Sequence, residues 1–134
     1  MPRADRRENR KILSQMKEHL TEWLRQKPSV DGMLVRGIRF PDETFFCDFD
    51  SRDFPTVALE QVWRGVDDAF QVLMARQTPP VRLTWVYERA VLHCARHEGG
   101  AMLGIFVQRD PKEVDQAGVD QLLAEFRAER GPLL

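Results

Sequence analysis

Cysteine is scarce in this chain, with two in 134 residues, and that number cannot supply the disulfide framework of a small secreted domain. Cys47 and Cys94 both fall inside apolar, strand-like runs, where a thiol behaves as a small buried hydrophobe. No apolar run approaches the roughly 18 residues that would span a bilayer. The first residues are charged, where a signal peptide would need an apolar stretch. A cytoplasmic protein with reduced thiols and no membrane insertion is therefore expected. Net charge is also nearly absent, at −1, which removes any global attraction to nucleic acid. Linkers, internal repeats and low-complexity tracts are lacking as well.

What is present is the composition of a globular protein, with 43% hydrophobic and 31% charged residues. A chain of this length buries roughly two-thirds of its unfolded surface, so one domain over residues 1–134 with one core is expected. Residues 1–27 carry eight Lys or Arg against four Asp or Glu. Interleaved signs on a helix are read as a solvated face.

Hydrophobic periodicity then gives the element order. Ile12, Leu13, Met16, Leu20, Trp23 and Leu24 recur at helical spacing over residues 5–27, and Pro28 stops the run. Residues 1–10 contain no apolar residue beyond Ala4 after Pro2, so that part is expected to fray or project. Two strands follow, over 33–40 and 44–49, joined by a turn at Pro41-Asp42-Glu43. A second helix over 56–77 places Leu59, Val62, Trp63, Val66, Phe70 and Leu73 along one stripe. Val57, Val72 and Met74 lie off that stripe, which widens its apolar surface beyond one buried face and implies a second packing partner.

In the third strand Leu83, Trp85 and Tyr87 alternate with Arg82, Thr84, Val86 and Glu88, as an antiparallel sheet requires. A fourth strand over 91–96 and a fifth over 101–108 flank a turn at His97-Glu98-Gly99-Gly100. Met102 to Val107 is apolar on both faces and belongs in the middle of a sheet. Asp110, Pro111 and Glu113 have the N-cap, N1 and N3 chemistry of a helix start, and Gly131-Pro132 closes the helix that follows. The expected fold is α+β with the order α-β-β-α-β-β-β-α.

Candidate chemistry is sparse. His93, Cys94 and His97 have metal-ligand side chains, but strand alternation sends His93 and Cys94 to opposite faces. Asp48, Asp50 and Asp53 lack the glycine and the closing glutamate of a calcium loop. Gly99-Gly100 has no following Lys-Ser/Thr and leads into a strand, which removes the phosphate-cradle reading. No basic, aromatic face suggests RNA. No metal, cofactor or catalytic residue is assigned, and a non-catalytic role is expected.

The run Val86-Tyr87-Glu88-Arg89-Ala90-Val91-Leu92, the run Gly99-Gly100-Ala101-Met102-Leu103-Gly104-Ile105-Phe106-Val107, and Asp110 with the last helix resemble the roadblock/dynein light chain family. Asp31-Gly32-Met33-Leu34-Val35 is similar to that family's opening strand. The resemblance implies a five-stranded antiparallel sheet and a homodimer formed through the second helix and an edge strand. It further implies a regulatory or scaffold role, with a small Ras-like GTPase or another protein as partner. On this basis Leu59, Trp63, Val66, Phe70, Leu83, Trp85 and Tyr87 are the candidate interface, although Trp63 and Trp85 suit a core equally well. The alternative is a small-ligand or sensory module on a PAS- or profilin-like sheet, with a pocket between sheet and helix.

Overall fold

The computed structural model describes residues 3–48 and 56–130, with side chains from Arg6 onward and, in the second helix, from Ala58. The elements are α1 (Arg3–Gln26), β1 (Met33–Arg39), β2 (Phe45–Asp48), α2 (Thr56–Ala75), β3 (Leu83–Val86), β4 (Ala90–Arg96), β5 (Met102–Gln108), a 3-10 turn (Pro111–Glu113) and α3 (Gln116–Ala128). The class is α+β with the order α-β-β-α-β-β-β-α. No helix among the described residues is long and apolar enough to cross a membrane.

The chain forms two compact units, one made of the first 28 residues with the C-terminal end from Glu129, the other of Ser29–Ala128. In the first unit, Leu20 and Leu24 are one turn apart and fully buried, while Arg6 to Arg10 are exposed. His19 Nε2 meets Glu129 Oε1 at 2.8 Å, tying α1 to the C-terminal end. Lys27 places its ammonium 5.2 Å from the Trp23 ring centroid.

The second unit is built on one five-stranded sheet in the order β2-β1-β5-β4-β3, with every pairing antiparallel. The strand that is apolar on both faces, β5, takes the central place, and Met102 to Val107 are buried throughout. Alternation divides the sheet into two faces. One carries Val35, Leu92, Cys94, Met102 and Phe106, which form a core with Leu59, Trp63, Val66 and Phe70 of α2. On the other face β4 and β5 pack against α3, whose Val119, Leu122, Leu123 and Phe126 are buried.

Hairpin chemistry sets the registers. Asp42 Oδ1 accepts from the Thr44 N–H (3.1 Å) and hydroxyl (2.5 Å), holding the β1–β2 turn closed. Tyr87 N–H donates to Ala90 C=O (2.8 Å) across a two-residue turn between β3 and β4. Gly100, at φ 98°, closes the β4–β5 turn with its N–H on His97 C=O (2.9 Å).

The start of α3 differs from the sequence expectation. Asp110 does cap a turn, accepting from Lys112 N–H at 3.0 Å, but that turn is the 3-10 segment Pro111–Glu113. Val114 then returns to extended backbone (φ −120°, ψ 131°), and Asp115 N–H is drawn to Asp31 C=O at 3.0 Å. The true cap is Asp115, whose Oδ1 accepts from Gly118 N–H at 3.1 Å. A tertiary bond to the β1 entry loop displaces the helix start by several residues.

Candidate interaction surface and cleft

The four α2 residues proposed as interface anchors all point into the core of their own subunit: Leu59 is 2% exposed, Trp63 0%, Val66 3% and Phe70 1%. Leu83 and Trp85 are half-buried and pack on the same cluster. Tyr87 lies beyond the end of β3, largely exposed, with its ring 5.9 Å from that of Phe106. Among the described residues, the large apolar side chains left exposed are Ile12 in the first unit and, in the second, Val72 and Met74 on α2 and Val81, Val86 and Tyr87 around β3. Of the three off-stripe residues Val72 and Met74 are exposed, and the side chain of Val57 lies outside the described residues.

Strand β3 ends the sheet, pairing only with β4. Because Tyr87 N–H is directed to Ala90, alternation along the ladder turns Leu83 and Trp85 toward β4 as well. Thr84 and Val86 therefore present their N–H and C=O groups outward, with no strand among the described residues to receive them.

On the α3 side of the same edge lies a polar network. Arg82 Nη2 donates to His93 Nδ1 at 2.7 Å, and the Thr84 hydroxyl donates to the same nitrogen at 3.2 Å. Two donors on Nδ1 leave the proton of neutral imidazole on Nε2. Burial first, and the Arg82 charge second, push the His93 pKa down to about 4. Arg82 also pairs with Asp120, and Gln116 Nε2 donates to the same Asp120 oxygen at 2.9 Å. Those contacts hold the Asp120 carboxyl below its usual value. The network ties the entry to β3 to α3.

His93 and Cys94 occupy opposite faces of β4, as strand alternation requires. Cys94 is fully buried and its thiol pKa is raised by that burial. Asp48 pairs with buried Arg36 (2.8 Å to Nη2), while Asp50 and Asp53 lie outside the described residues. Among the described residues no three His, Cys, Asp or Glu side chains are gathered around a common point that could hold a metal ion.

A cleft of about 630 Å³ opens at the N-terminal end of α2, lined by Leu34, Ala58, Leu59, Val62, Tyr87, Arg89, Ala90, Phe106 and Gln108. Three features of the backbone create it. The irregular register between Met33 and Val35 turns Leu34 toward the α2 face. The tight β3–β4 turn carries Tyr87 and Arg89. The pairing of Ala90 with Gln108 brings the end of β5 beside that turn. Among the described residues neither the Arg89 guanidinium nor the Gln108 carboxamide has a hydrogen-bond or ion-pair partner. Sequence reading missed both, because residues 19 positions apart meet only through the β4–β5 register.

No family model matches the chain, and neither a curated protein nor a solved structure matches it. Its class rests on element order and sheet register alone.

Proposed function

We propose that this protein is a non-catalytic regulatory or scaffold module that works as a homodimer, pairing β3 with the β3 of a second copy. The observation that carries this reading is the bare β3 edge, with exposed Val86 on the strand and exposed Val81 two residues before it. Natural sheets seldom leave an apolar edge uncovered, since it templates pairing with another chain. The outward groups of Thr84 and Val86 are self-complementary about Trp85. Thr84 of one copy would face Val86 of the other, and the two Trp85 side chains would meet beside the two-fold axis. Such a closed pair leaves no growing edge on that side.

On the roadblock resemblance, the partner of the dimer is a small Ras-like GTPase whose nucleotide cycle it modulates, in a cytoplasmic setting. Solution mass by light scattering tests the assembly. Wild type is expected at twice the 15.6 kDa chain mass, and Val86→Lys at one chain mass with an unchanged circular dichroism spectrum. A monomeric wild type overturns the pairing. Release of a fluorescent GDP analogue from purified Ras-like GTPases tests the second step, and unchanged rates across the panel remove the GTPase assignment.

A further inference from the structure

We infer that the cleft beside α2 binds a small amphipathic carboxylate, with the acid group on Arg89 and the apolar body on the floor between Leu34, Leu59, Val62 and Phe106. The inference does not depend on dimer formation.

The volume, about 630 Å³, lies within the range of small-molecule sites. The floor is hydrocarbon and aromatic: Leu59 and Phe106 belong to the core, and Leu34 and Val62 pack against it. Water over such a surface is readily displaced by an apolar chain. Polar groups gather at the rim instead. Among the described residues lining the cleft Arg89 is the one that carries a charge, so their electrostatic preference is for an anion. A guanidinium is always protonated and offers two parallel N–H donors that match a carboxylate. Gln108, half-buried and with its carboxamide unpartnered among the described residues, supplies an amide donor on the adjacent strand end. The Tyr87 ring, resting near Phe106, forms one wall.

Among the described residues neither of these polar side chains is bonded to the fold. Arg89 occupies a two-residue turn whose closing bond is made by the backbone of Tyr87 and Ala90, without use of its side chain. A cation and an amide that both line an apolar cleft, neither side chain partnered among the described residues, therefore point to an anionic, partly apolar ligand.

The test is an amide NMR titration of the full chain with octanoate, using octylammonium as the charge-reversed control. Octanoate should give saturable shifts at Leu34, Ala58, Val62, Ala90 and Gln108, and octylammonium should give none. Arg89→Gln should weaken octanoate about tenfold, the loss of one charge-assisted pair. Ala58→Phe, at an exposed position on the lip, should abolish binding by filling the cleft while leaving the remaining spectrum in place. Absence of saturable shifts, equal binding of both amphiphiles, or an unchanged affinity in Arg89→Gln each overturns the assignment. Solution mass is read separately, so failure here leaves the β3 pairing untouched, and failure of the pairing leaves this site standing.

Discussion

Trp63 of α2 occupies the space that a side chain at Gly104 of β5 would need: a Cβ there would stand 2.6 Å from Trp63 Cε2. Gly104 is paired with Gly37 of β1, so two strands offer bare backbone at the same level of the sheet. The indole fills that gap, with Phe45 and Phe106 each 5.5 Å away between ring centroids and its Nε1 donating to Gly37 C=O at 3.4 Å. The largest side chain in the core thus sits where the sheet is thinnest. Gly104→Ala is expected to lower stability by about 3 kcal/mol through overpacking, measured by urea unfolding. Trp63→Ala should cost roughly 3–5 kcal/mol through the cavity it leaves.

Protonation of His93 opposes folding. Its folded pKa of about 4 lies below the unfolded value near 6.5, so neutral imidazole is the form the fold accepts. The contribution is intact above pH 6.5 and is lost as pH falls toward 4, by up to roughly 3 kcal/mol. Urea unfolding at pH 7.5 and pH 4.5 should show a smaller drop for His93→Gln than for wild type. Equal drops would assign the acid sensitivity to other groups.

The two candidate caps of the last helix separate experimentally. Asp115→Ala should destabilise by about 1 kcal/mol, because Asp115 satisfies the first turn of α3. Asp110→Ala should cost less, since it closes only an exposed 3-10 turn. Thermal melts of the two variants provide the comparison, and a larger loss at Asp110 would return the helix start to the earlier position.

The two thiols should differ in reactivity. Cys94 is enclosed between α2 and the sheet with its pKa raised, whereas Cys47 is half-buried. Since the thiolate is the reactive form, titration with a chromogenic disulfide should modify Cys47 alone in the native protein. Cys94 should react only after unfolding, and rapid native modification of both would contradict its burial.

Element order was legible in the residues because it depends on local periodicity. The double-sided apolar run of β5, the α2 stripe from Leu59 to Phe70 and the turn residues around Asp42 and Gly100 each declare themselves within a few positions. The opposed directions of His93 and Cys94 follow from the same rule. What lay beyond reach depended on which distant strands meet. Apolar aromatic residues serve cores and interfaces alike, so the sequence left Trp63 open; the Gly37–Gly104 register placed it inside. A bond from Asp115 to Asp31 moved the start of α3, and the pairing of Ala90 with Gln108 set Arg89 at the mouth of a cleft. Spacing along the chain thus determined the elements and their faces. Register between strands remote in sequence decided what those faces enclose and what they leave open, because such contacts carry no local periodic signal.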